Sequence, residues 1–163
     1  MAKLLEIQTG ENNPILRTKS VRVKKVDAVL KKFAKEMKDT MIHTDGLGLA
    51  APQVGENIRV VIVTLNYGSK TASVTTMINP EILSHSDETD VAEEGCLSLP
   101  GVYKNVERAS KVMVEFTDME GENHALKLDG LNSRVVQHEI DHLNAILFID
   151  RVKENKRANA VVM

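Results

Sequence analysis

The five residues His138-Glu139-Ile140-Asp141-His142 constrain this chain more than any other stretch. Two imidazoles four positions apart share a face when the backbone between them is helical, so the pentad asks for a helix and for a space beside it where both rings converge. The flanking residues agree. Asp129 suits an N-cap, and the helical pattern runs from Gly130 or Leu131 to about Asn144. Both rings can then reach one metal ion, at about 2.0–2.1 Å for zinc. Glu139 lies about a hundred degrees around the helix axis from its neighbour. There it can reach a metal-bound water without being a ligand, which is the general-base position.

Two imidazoles leave the site incomplete, because a catalytic centre of this kind takes three protein ligands and keeps one position open. The downstream extension H-E-x-x-H-x-x-G-x-x-H fails here, with Ala145 and Phe148 where Gly and His should stand. Glu154 sits in a charged tail. The third ligand is therefore expected upstream, from His43, His85, His124 or Cys96. Cys96 is favoured. It lies in Glu94-Gly95-Cys96-Leu97-Ser98-Leu99-Pro100, which has no helical or strand period and reads as a loop able to aim a thiolate. A lone cysteine is more often an inert buried residue; the histidine pair is what tips the reading. With no second cysteine there is no intrachain disulfide, as suits a reducing compartment. A third segment, Gly46-Leu47-Gly48-Leu49-Ala50-Ala51-Pro52-Gln53-Val54-Gly55, has small residues that allow close approach of a backbone or ligand. It is neither a phosphate loop nor a dinucleotide fingerprint, and alone it reads more readily as a packed turn.

The rest of the chain supplies the frame. From Val26, the apolar positions Val29, Leu30, Phe33, Met37 and Met41 mark an amphipathic helix ending near His43, with Lys31, Lys32, Lys35 and Lys38 on its wet side. Strands are expected at Ile58–Asn66, Val74–Asn79, Glu81–Ser86 (parted from the preceding strand by Pro80), Val102–Val106, Lys111–Thr117 and His124–Leu128. Asp118-Met119-Glu120-Gly121 supplies the turn before the last of these. One helix, then strands, then a late helix predicts an α+β fold with mixed or antiparallel sheets. At 163 residues one domain, 1–163, is expected, with 152–163 as a flexible tail. A net charge of −2 lacks the basic excess of a nucleic-acid binder, and 3% aromatics with no Trp leave no stacking platform, so DNA is not an expected partner. The longest clean apolar stretch is Val60 to Val63, so no membrane span is expected. The opening residues show no signal segment, and the expected location is the cytoplasm. A mature organellar protein is compatible with the same sequence.

Taken together, three segments resemble the peptide deformylase family: G-Φ-G-Φ-A-A-x-Q at Gly46 to Gln53, E-G-C-Φ-S at Glu94 to Ser98 and Q-H-E-x-D-H at Gln137 to His142, where Φ is apolar. They are complete and in order, and the resemblance covers most of the chain. It implies sheets packed around a central metal-bearing helix, and removal of the formyl group from N-formylmethionyl nascent peptides with release of formate. It implies Cys96, His138 and His142 as metal ligands, Glu139 as acid/base, and Gln53 with the Leu97 amide facing the oxyanion. It implies Fe²⁺ as the first choice of ion, with Zn²⁺, Ni²⁺ or Co²⁺ able to occupy the site. A metal-bound hydroxide would attack the formyl carbon while Glu139 takes the proton and then hands it to the leaving amine. An apolar slot for the methionine could draw on Leu47, Ile42, Leu97, Val135 or His138, and the peptide could add as a strand near Gly48. Glu94 and Arg108 either brace the cysteine segment or are separate surface charges. Asp141 is a candidate to orient an imidazole. The family usually has Gly where Ala145 stands, so Asn144 is expected to take the left-handed helix end. The basic tail Lys153 to Arg157 reads first as a solvated end, with a transient ribosome contact as the alternative, and a monomer is expected. Two competing readings stay open: a peptidase cutting internal amide bonds, and a non-catalytic metal- or peptide-binding domain.

Overall fold

The computed structural model describes residues 2–152. The 153–157 basic segment, and all but the first residue of the expected 152–163 tail, lie outside the described residues. Helix α1 spans Ala28–His43, and its N-cap Asp27 accepts a hydrogen bond from the Leu30 N–H. Strands β1 (Gly48–Ala50), β2 (Val60–Leu65), β3 (Ser73–His85), β6 (Lys111–Thr117) and β7 (Asn123–Asp129) form one sheet in the order β1-β2-β3-β6-β7. Strands β4 (Thr89–Cys96) and β5 (Leu99–Ala109) form a separate hairpin, and helix α2 spans Gly130–Leu143. Every strand pairing is antiparallel; the parallel contact is a single bridge between Val21 and Ile58. The α+β expectation is met.

The unbroken apolar run Val60–Val63 follows from burial on both faces of β2. Val60 and Ile62 join Leu30, Ala34, Met37 and Met41 of α1. Val61, Val63 and Leu65 join Val136, Ile140 and Leu143 of α2. The sheet thus presses one face of α2 into the core and leaves its His138–Glu139 side at the edge beside β1. Residues 148–152 are helical again. Leu147 and Phe148 cluster with Leu99 and Val106 of the hairpin and with Leu16.

Several expectations are corrected. Val29 is not part of the buried stripe of α1; it is exposed. Pro80 does not end a strand: β3 continues through it by a bulge between Ile78 and Glu81. Asn79 takes a φ of +51° there, and its side chain pairs with both backbone groups of Val23. The missing Pro80 N–H is tolerated at such a bulge. The segment Glu94–Pro100 is a strand end and tight hairpin turn, with Cys96 opposite Leu99, rather than a loop.

Ala145, not Asn144, occupies the left-handed end of α2, with a φ of +60°. The Ile146 N–H bonds the Asp141 carbonyl and the Ala145 N–H bonds the His142 carbonyl, the paired closure that glycine usually completes. A Cβ in that conformation costs roughly 1–2 kcal/mol, part of which glycine's freer unfolded chain offsets. Ala145→Gly is therefore expected to stabilise the fold by about 1 kcal/mol, read as a higher urea midpoint at unchanged slope.

Candidate metal centre

Glu94-Gly95-Cys96 comes into register through the β4–β5 hairpin, and the two imidazoles through one turn of α2. The donor atoms of Cys96, His138 and His142 lie within 4.8 Å of one another, and Cys96 Sγ is 3.4 Å from His142 Nε2. The rings meet edge to face with centroids 5.1 Å apart, and His138 stacks on Phe148. His43, His85 and His124 are not in this group; His124 Nε2 bonds Asp118 instead.

The donor chemistry fits a divalent transition ion. One soft sulfur and two imidazole nitrogens converge from separate elements, a set suited to iron and zinc alike. His138 Nδ1 is 2.8 Å from Glu94 Oε1, which directs Nε2 toward the sulfur. Glu139 Oε2 and His142 Nδ1 are buried with no hydrogen-bond partner among the described residues. Burial disfavours a charged His138, but its hydrogen bonds to Cys96 and Glu94 outweigh this and raise it to about 10. Burial, followed by the His138 charge, holds His142 well below its usual range, so the ring is neutral.

Glu139 is 5% exposed. Burial pushes its carboxyl up to about 7, opposed by His138 and reinforced by Glu94. Its carboxylate lies flat on the backbone of β1: a Cβ on Gly48 would sit 2.7 Å from Glu139 Cγ and Cδ. Gln53 is held in one orientation. Its Oε1 accepts from the Ala50 N–H at 2.9 Å, while Nε2 reaches Ser98 Oγ at 3.2 Å and Cys96 Sγ at 3.5 Å. The Gly-rich segment thus proves to be strand β1 followed by one tight turn at Ala51–Val54, which aims Gln53 at the sulfur.

A cleft of about 570 Å³ opens over this group. Leu47, Gly48, Leu97, Val135 and His138 line it; Ile42 does not, being exposed on α1. Leu131 and Tyr103 also line the cleft, and the sequence reading passed over both.

A chain of buried charges supports the site. Glu94 pairs with Arg108 through Nε and Nη2, both at 2.9 Å, and with Arg134 Nη1 at 2.7 Å. Arg108 Nη1 continues to Asp141 at 2.6 Å, and Asp141 also accepts from Arg151. Glu94 and Arg108 are therefore not separate surface charges. Asp141 contacts the arginines; the imidazole partner is Glu94. Burial alone would raise the Glu94 carboxyl, but the Arg108 and His138 hydrogen bonds hold it well below the usual range. Arg134 precedes His138 by one turn, and its only signal in the sequence is a charge on the buried face of an amphipathic helix.

A family model described as polypeptide deformylase matches residues 4–158. A peptide deformylase of Prochlorococcus marinus (strain NATL1A) is 45% identical over 86% of this chain and 70% of its own length. The crystal structure of peptide deformylase from Thermotoga maritima superposes with a TM-score of 0.85 at 42% identity, covering 91% of this chain and 97% of that one. The class I type b peptide deformylase of Acinetobacter baumannii, solved with Met-Ala-Ser bound, gives 0.85 at 38% identity over 93% and 99% of the two chains.

Proposed function

Because this chain belongs to the polypeptide deformylase family, we propose that its Cys96, His138 and His142 hold one divalent ion and that Glu139, Gln53 and Leu97 carry out the hydrolysis. The activity itself is the family's: the chain is a hydrolase that removes the N-terminal formyl group from nascent peptides, and it depends on a metal. The observation that carries the residue assignment is the convergence of one thiolate and two imidazoles beside a buried carboxyl with an unpartnered oxygen.

A divalent ion on those donors supplies a Lewis acid that polarises the formyl oxygen and acidifies the attacking water toward pKa ~7. Glu139 takes that water's proton and returns it to the departing amine. Burial favours the protonated form of this carboxyl, which helps it to hold the proton between the two transfers. Gln53 Nε2 and the Leu97 N–H meet the developing oxyanion; one such donor is typically worth ~2.7–4 kcal/mol of barrier. The methionine side chain enters the slot walled by Leu47, Leu97 and Val135. The peptide backbone lies along Gly48, because β1 is the outermost strand of its sheet. Fe²⁺ is the resident ion in this reading, with Zn²⁺, Ni²⁺ and Co²⁺ as substitutes. The substrate is an N-formylmethionyl nascent peptide. Residues 1–163 act as one catalytic domain, as a monomer in the cytoplasm. No helix among the described residues is long and apolar enough to cross a membrane.

The test is formate release from formyl-Met-Ala-Ser by protein prepared anaerobically and loaded with Fe²⁺ or Ni²⁺, with metal analysis of the same sample. Absence of formate from loaded protein rejects the reading. Cleavage of the unformylated peptide that persists in Cys96→Ala favours a peptidase instead. Gly48→Ala adds a narrower expectation. The new methyl displaces the Glu139 carboxylate by about an ångström, so kcat/KM should fall about 100-fold while bound metal stays at the wild-type level.

A further inference from the structure

Arg134 has no part in the roles assigned above, yet its guanidinium joins three elements. From α2, Nη1 donates to Glu94 Oε2 of β4 at 2.7 Å and to the Val106 carbonyl of β5 at 2.8 Å. Nη2 donates to Asp90 of β4 twice, to its carbonyl at 3.0 Å and to Oδ1 at 2.7 Å. The side chain is only 8% exposed, although Asp90 is half in solvent. This fork therefore fastens the hairpin that carries Cys96 to the helix that carries His138 and His142. Its bond to Glu94 is also the shortest of the four that Glu94 receives, alongside two from Arg108 and one with His138 Nδ1. Arg108 Nη2 and His138 engage Oε1, while Arg108 Nε shares Oε2 with Arg134. Arg134 makes the shorter of the two bonds to Oε2 and, with the Arg108 fork, fixes the rotation of the carboxylate about its own axis and so the direction in which Oε1 meets the imidazole.

We propose that Arg134, anchored by Asp90, is a positioning residue for the metal centre: it sets the Glu94 carboxylate that orients His138 and holds the cysteine hairpin against α2. The proposal rests on the ligand assignment above. It makes an arginine four residues before the first histidine as necessary to a tight centre as the carboxylate that touches the ring. Removing the outer partners of metal-bound histidines typically costs 10–100-fold in affinity. Lysine can supply the charge but not the planar fork.

The experiment uses Co²⁺ as the probe in wild type, Arg134→Met, Arg134→Lys and Asp90→Asn. It records the visible spectrum, the rate of Co²⁺ release to a chelator, kcat and KM separately, and the urea midpoint. Wild type must show a thiolate-to-cobalt band that Cys96→Ser removes; failure there overturns the ligand assignment and not the role of Arg134 alone. Arg134→Met is expected to release cobalt 10–100-fold faster, with altered d–d bands and a kcat that falls more than KM rises. Arg134→Lys should fall between it and wild type, and Asp90→Asn should release cobalt several-fold faster. A folded Arg134→Met with wild-type spectrum and release rate overturns the proposal, even if its urea midpoint drops, because that is a strut and nothing more. Should Arg134→Met not fold, Asp90→Asn decides: release at the wild-type rate overturns the proposal.

Discussion

Glu139→Gln is expected to lower kcat for formate release by about 10²–10⁴-fold, the usual worth of a positioned general base, with KM and bound metal nearly unchanged. The substitution is close to isosteric, so the side chain can still lie against the Gly48 backbone where the carboxylate lies now. It costs little structurally, because Oε2 of the native residue makes no hydrogen bond among the described residues. A buried carboxyl without a partner is itself unfavourable, as its upward shift to about 7 records. The amide should leave the urea midpoint equal or higher, a pattern common where a site is built at the expense of stability. Activity and stability are thus predicted to move in opposite directions. Loss of activity together with loss of metal would instead make Glu139 a ligand. Undiminished formate release would remove it from the chemistry.

The parts of this design that were legible in sequence are those that repeat a local rule. Residues at helical spacing put His138 and His142 on one face, and the β-branched run within Ile58–Asn66 reads as a strand, which the structure buries on both faces. Cys96 could be chosen as third ligand, but its setting could not. Strand β4 escaped notice because its residues are exposed up to Glu94, the one buried position in it, and that position holds a charge. No apolar alternation exists to be read. The choice between a braced and a solvated Glu94–Arg108 pair was open for the same reason: burial of charge is decided by partners 33 to 44 residues away, Arg134, His138 and Asp141. Ala145 shows tertiary closure overriding local preference. Asn144 is the better residue for a left-handed turn, yet its side chain accepts from Arg59 and it stays at a φ of −101°, leaving the strained position to alanine.

Arg108→Met should produce the largest stability loss of any single charge deletion in the described residues, about 3–5 kcal/mol. The side chain is 3% exposed and makes three hydrogen bonds to two carboxylates, Glu94 and Asp141. Burial works against its charge, but those two carboxylates more than compensate, so the guanidinium is charged at every pH the fold survives. Methionine fills the volume of the stem and supplies none of the donors. Glu94 then keeps Arg134 and His138, and Asp141 keeps Arg151, but each loses a buried cation, and uncompensated buried charge is what makes breaking such a pair costly. The surface pair Arg22–Glu81 provides the contrast. Its bond is 2.6 Å, but the side chains are 63% and 48% exposed, so Arg22→Met should change stability by no more than about 1 kcal/mol. Urea unfolding of both variants in metal-free protein keeps ion binding out of the comparison. A loss below about 1 kcal/mol for Arg108→Met would mean that water reaches Glu94 and Asp141 once the arginine is gone. In that case the cysteine hairpin is held by its apolar contacts, Leu99 and Val106 against Leu147 and Phe148, rather than by the chain of charges beneath it.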